Sequence, residues 1–146
     1  METCKIKVKN MSKYPLPKYQ TKGSSGMDLY ANISNPLVIK PLERKLIPTG
    51  IYISMPNGYE AQIRARSGLS FKYGITIANG IGTIDSDYRG EIKIILINFG
   101  EKNYILHPGE RIAQMVISKY VRIYWEKVDE LDNTQRGQGG LGHSGI

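Results

Sequence analysis

The chain has 146 residues, 40% of them hydrophobic and 23% charged, with a formal net charge of +7. That length suits one domain burying about 70% of the surface that its unfolded chain exposes, and the composition marks a soluble globular protein. No apolar run approaches the ~18 residues of a membrane-spanning helix and no signal-peptide core follows Met1, so cytoplasmic residence is the expectation.

The first element, CKIKVKN from Cys4, alternates with period two and predicts a strand with Cys4, Ile6 and Val8 on one face and Lys5, Lys7 and Lys9 on the other. Lys5, Lys7, Lys9, Lys13, Lys18 and Lys22 stand against one acid, Glu2, before Gly23. Such an excess is either a solvated strand face or an attraction for a polyanion, nucleic acid or nucleotide polyphosphate. The lone Cys4, with only His107 and His143 as further soft ligands, gives no zinc-site spacing and no internal disulfide.

In SSGMDLYA, Gly26 allows close backbone approach, and Asp28 lies between Met27 and Leu29. A carboxylate there is costly unless it is paired, caps a turn or meets a metal. PLVIK, RKLIPTGIYISM and YEAQIRA are rich in branched residues and predict further strands. SGLSFKYG predicts the one short helix, with Ser67 as N-cap and Gly74 as its left-handed stop. Arg64 and Arg66 are two apart, hence on one strand face, and Arg66 and Ser67 sit at a strand-to-helix junction that attracts phosphate.

GTIDSDYRGE, from Gly82 to Glu91, predicts a glycine-flanked hairpin that carries Asp85 and Asp87 on one side, Tyr88 on the other, and brings Asn79 near the acids. Two such acids could serve a metal or act as a general base; they could equally be a solvated hairpin. EIKIILINF, KNYIL and RIAQMVISKYVRIYW continue the strand pattern, and Gln114 in GERIAQM is either an amide donor or a satisfied core glutamine. His107, before a Pro-Gly turn, and His143, in the tail, are not held as a general base needs to be. After Leu131 the pattern collapses into DNTQRGQGGLGHSGI, which lacks the GK[ST] ending of a P-loop and predicts a mobile tail. The elements together predict an all-β antiparallel sandwich or barrel over residues 1–133 and a glycine-rich segment over 134–146.

Five segments, GMDLYA, RSGLS, NGIGTIDSDYRGE, GERIAQM and RGQGGLGHSG, in this order and spacing resemble the motifs of the trimeric dUTPase family. The resemblance implies a distorted jelly roll assembled as a homotrimer, with active sites at the subunit junctions, and hydrolysis of dUTP to dUMP and pyrophosphate with Mg2+. By position, Asp85 resembles the base that activates water for in-line attack on the α-phosphorus. Asn79, with backbone groups near Thr83 and Ile84 and with Lys93 at the border, resembles the uracil pocket. Tyr88 resembles the tyrosine packed under the deoxyribose, and Asp28 the acid that meets magnesium through water. Arg66, Ser67, Gly68 and Gln114 resemble phosphate contacts, Arg136 the γ-phosphate contact from the tail, and Ser144 a further phosphate donor. Leu141 stands where the family tail usually has an aromatic ring, which implies a lid that covers the base without stacking on it. Ala65 stands where proline often precedes the arginine, which implies a less rigid strand end.

Two rivals remain open at this level: a dCTP-deaminase relative on the same scaffold, and a basic β-barrel that binds single-stranded nucleic acid. Gly68 and the Asp87-Tyr88 pair weigh against the first. Tyrosines that do not cluster with arginine weigh against the second.

Overall fold

The computed structural model describes residues 1–145. Its elements are β1 (Lys7–Asn10), β2 (Gly26–Tyr30), β3 (Leu37–Ile39), β4 (Arg44–Pro48), β5 (Ile51–Ser54), β6 (Tyr59–Arg64), α1 (Ser67–Tyr73), β7 (Ile75–Ile77), β8 (Gly82–Ile84), β9 (Lys93–Asn98), β10 (Tyr104–Leu106) and β11 (Arg111–Lys119). The chain is therefore all-β with one short helix, as its branched residues and turn spacing imply.

Every strand pair is antiparallel. The pairing is nested: β2 lies beside β11, β3 beside β10 and β4 beside β9. A long two-stranded ribbon rolled on itself has this order, which is consistent with a jelly roll. The largest sheet runs β2-β11-β6-β8, and a second runs β4-β9-β7. Isoleucine dominates the core, with Ile39, Ile47, Ile75, Ile92 and Ile94 nearly or wholly inaccessible. Its stiff branched side chain suits a pleated interior.

Local chemistry moves several predicted boundaries. RKLIPTGIYISM is two strands, because Gly50 takes φ 71° and turns the chain at a corner where a Cβ would press on Ser12 and Asn32. Thr49, buried at that corner, donates its hydroxyl to the Ile92 carbonyl. The first strand begins only at Lys7, and Val8 is 45% exposed, so Ile6 rather than Val8 carries its apolar contact with the core. The last strand stops at Lys119; beyond it Val121, Ile123, Tyr124 and Trp125 are exposed without a pairing strand among the described residues.

Two further expectations are corrected. The N-cap of α1 is Arg66, in extended conformation and without a side-chain cap, so Ser67 is the first helical residue and its hydroxyl does not close the helix. Gly74 does end it, at φ 71°, with its amide on the carbonyls of Leu69 and Ser70. The segment from Gly82 to Glu91 is not a hairpin: β8 pairs with β6 while β9 pairs with β4 and β7. The turn at Asn79-Gly80 carries the chain from one sheet to the other.

Candidate active site

The outer face of the large sheet assembles one cluster. Gln114 lies opposite Asp28 on one side and Arg64 on the other, so the three share a face. Asp28 is clasped by two arginines: Arg66 Nε lies 3.1 Å from Oδ1, and an Arg111 terminal nitrogen 3.2 Å from Oδ2. Arg66 also donates to the Arg111 carbonyl at 2.9 Å. The pairing that a carboxylate between Met27 and Leu29 requires is thus present, with the Asp28 side chain only 17% exposed. Gln114 donates its amide to the Ala65 carbonyl at 2.9 Å, and a Cβ on Gly26 would overlap its side-chain oxygen, so glycine there makes room for the amide.

Arg111 has no place in the sequence-based assignment. It is three residues from Gln114, and strict strand alternation would aim it at the opposite face. A β-bulge between Arg111 and Ala113 shifts the register by one, so that Arg111 faces Tyr30 and rejoins the side of Asp28 and Gln114. The adjacent burial of Ile112 and Ala113 is the trace of that bulge.

Ser67 and Gly68 stand exposed at the start of α1, beside Arg66, with open space around Gly68. Next to them Tyr30, Arg66, Leu69, Tyr104, Gly109, Glu110 and Arg111 line a cleft of about 370 Å3. In it the Tyr104 hydroxyl donates to Glu110 at 2.7 Å; burial first, and then this carboxylate, push the phenol well above its ordinary range.

A second cleft, of about 600 Å3, opens at the end of β8. Thr83, Ile84, Asp85, Tyr88 and Lys93 line it together with Leu46, Tyr52, Gly90 and Glu91. Five of the predicted residues therefore meet in one place. Asp85 follows the last residue of β8 and Asp87 lies in the turn beyond, where the Tyr88 amide donates to the Asp85 carbonyl at 3.1 Å. Two-residue strand alternation does not apply to that pair. Asn79 stays outside the lining; its amide nitrogen lies 3.5 Å from where a Cβ on Gly82 would sit.

The two clefts have no lining residue in common. The tail joins neither among the described contacts: Arg136 Nε donates to the Gly139 carbonyl at 2.8 Å, while Leu141 and Ser144 are exposed. Ile146, the last residue of the expected lid, lies outside the described residues. No group of three or more His, Cys, Asp or Glu side chains that could cage a metal occurs among the described residues. No helix of these residues is long and apolar enough to cross a membrane.

Comparison with known proteins converges on one family. The dUTPase family model matches residues 12–145. The chain is 57% identical over 146 residues to a deoxyuridine 5'-triphosphate nucleotidohydrolase of Orientia tsutsugamushi, an alignment that covers 97% of this chain and 99% of the relative. It is 59% identical over 141 residues to the protein of that name from Finegoldia magna, with the same coverage. Among solved structures, the Staphylococcus bacteriophage 80alpha dUTPase with dUPNHPP is similar at a TM-score of 0.86 and 27% identity, covering 99% of this chain and 100% of that one. The motifs, the fold and the relatives agree: this chain belongs to the dUTPase family.

Proposed function

We propose that the chain hydrolyses dUTP to dUMP and pyrophosphate, as a homotrimer whose sites are shared between subunits. The observation that carries this reading is the division of the predicted residues between two clefts with no common lining, one bearing Asp85 and one bearing Arg66. In this reading a complete site sets the Asp85 cleft of one copy against the Arg66 cluster of another. Apolar cross-strand pairs left exposed, Leu46 with Ile95 and Val38 with Ile105, and the unpaired Val121, Ile123 and Trp125, support association of copies.

In this reading Asp85 accepts a proton from water as its oxygen attacks the α-phosphorus. The new P–O bond forms in line with the α–β bridge, which breaks, and the electron pair leaves with pyrophosphate. Arg66, the free amides at Ser67 and Gly68 and the second N–H of Gln114 donate to phosphate oxygens, where fixed donors stabilise developing charge without reorganising. Thr83, Ile84 and Lys93, which line the cleft, receive the uracil, with Asn79 bordering them beside Gly82, and Tyr88 lies beneath the sugar. The segment from 134 to 146 closes over the substrate, Arg136 on the γ-phosphate, Ser144 on phosphate and Leu141 over the base.

Both Asp28 oxygens are engaged by arginine, and no second carboxylate joins them among the described residues. That donor set fits a magnesium ion carried by the triphosphate and met through water, because this ion favours oxygen ligands and keeps several waters. When bound, magnesium supplies positive charge to the phosphate oxygens. Turnover is the test: incubated with each dNTP and UTP plus Mg2+, the protein should release equal monophosphate and pyrophosphate from dUTP. Ammonia from dCTP, or indifference to the base, would overturn the reading.

A further inference from the structure

The Tyr88 phenol is held from two directions. Its hydroxyl donates to the Glu91 carbonyl at 3.0 Å. Its ring fills the space beside Gly90, where a Cβ would overlap Oη, Cζ and Cε2. Gly90 is not among the residues with positive φ, and the three atoms that a Cβ would meet first all belong to Tyr88, so the ring and not a left-handed backbone is what excludes a side chain.

The acceptor of the hydroxyl is itself fixed. The Glu91 carboxylate accepts the Gly50 amide at 2.9 Å, the Ile92 amide donates to the Ile51 carbonyl at 2.8 Å, and buried Thr49 donates to the Ile92 carbonyl. These bonds tie the segment after Tyr88 to the corner between β4 and β5. The ring is half-exposed toward the Asp85 cleft, which Gly90 and Glu91 also line.

We propose that Gly90 and the Glu91 carbonyl are positioning residues for sugar selection, acting through Tyr88: one leaves the space that the ring occupies, the other latches its hydroxyl. The inference rests on Tyr88 lying beneath the deoxyribose. An apolar wall that can yield rejects an added hydroxyl only weakly, by about a hundredfold. A wall that cannot retreat leaves the 2′-hydroxyl of UTP both crowded and unpaired. Rigidity of the ring, not its presence alone, then sets the discrimination.

The test compares kcat/KM for dUTP, UTP and dCTP in the wild type, Tyr88→Ala, Gly90→Ala, the double variant and Tyr88→Phe. Gly90→Ala should lower the dUTP/UTP ratio by about tenfold or more with the dUTP/dCTP ratio unmoved. It should add nothing in the Tyr88→Ala background. Tyr88→Phe, which keeps the ring and loses the latch, should also lower the ratio, and it decides the matter should Gly90→Ala not fold. An unchanged ratio in Tyr88→Phe, or in folded Gly90→Ala, while Tyr88→Ala loses discrimination, overturns this inference alone. An unchanged ratio in Tyr88→Ala overturns the sugar-sensing reading, and the inference with it.

Discussion

Asp28 and Arg111 are joined across two strands at 3.2 Å, through a bulge that turns the arginine to the side of the sheet where the carboxylate lies. Arg66 holds the other carboxylate oxygen. The Arg111 side chain is 47% exposed, so the pair is worth at most about 1 kcal/mol of stability. Its consequence is for geometry. Arg111→Ala should raise KM for dUTP roughly tenfold, equivalent to ~1.4 kcal/mol of binding, with little change in melting temperature. Arg111→Lys should recover most of the loss, since a single N–H suffices. Steady-state kinetics over a magnesium titration checks this, and an unmoved KM in Arg111→Ala would remove Arg111 from the site.

Asn98 is a fully buried polar residue, and its three bonds organise the turn after β9. It donates to the carbonyls of Ile39 and Lys102 at 2.9 and 2.8 Å and accepts the Gly100 amide at 2.8 Å. Asn98→Ala orphans those groups and should cost roughly 3 kcal/mol in urea unfolding. A loss below about 1 kcal/mol would mean that the turn holds without it.

Leu42 has φ 63°, the only non-glycine residue with positive φ among the described residues, in a turn closed by the Glu43 amide on the Lys40 carbonyl. Its side chain is exposed, so Leu42→Gly relieves backbone strain without opening a cavity and should stabilise by about 0.5–1 kcal/mol. In the same turn Lys45, then the Lys40 amide, hold the Glu43 carboxyl below its ordinary value. A depressed carboxyl contributes stability above its unfolded pKa and loses it as pH falls through the folded one. The gap between wild type and Glu43→Gln in thermal melts should therefore be present at neutral pH and close once the pH falls below the ordinary carboxylate range, near about 4. A gap that grows on acidification contradicts that sign.

Removal of residues 134–146 should leave a folded protein of unchanged oligomeric state, because no described tail residue lines either cleft, and with little turnover, because the proposed lid is gone. Leu141→Phe in the full chain should tighten dUTP binding several-fold, since a ring adds stacking worth about 1 kcal/mol. Full activity of the truncated chain would refute the lid.

The strands and the short helix were legible because isoleucine-rich runs and Gly/Pro punctuation dictate them locally. Asp28 was legible as a carboxylate that needs a partner, but the sequence left pairing, turn capping and a metal equally open, and the two arginines that clasp it come from other elements. Arg111 was not: the bulge that turns it depends on the partner strand, and alternation read along one strand points the wrong way. The hairpin expected around Asp85 failed for a related reason: β8 takes β6 as its partner and β9 takes β4 and β7, pairings set by segments far along the chain and not by the turn over residues 85–91. β11 ends at Lys119, short of the pattern's reach, since Val121, Ile123 and Trp125 keep the strand alternation with no strand to pair with among the described residues.

The shared site is tested most directly by mixing two defective chains. Asp85→Asn should retain nucleotide binding and lose about 10²- to 10⁴-fold in turnover, and Arg66→Ala should be similarly impaired. Unfolded together and refolded at equal ratio, they should regain activity at about a quarter of the sites, those where an intact Asp85 cleft meets an intact Arg66 cluster from another copy. A mixture no more active than either parent would contradict a site built from more than one chain.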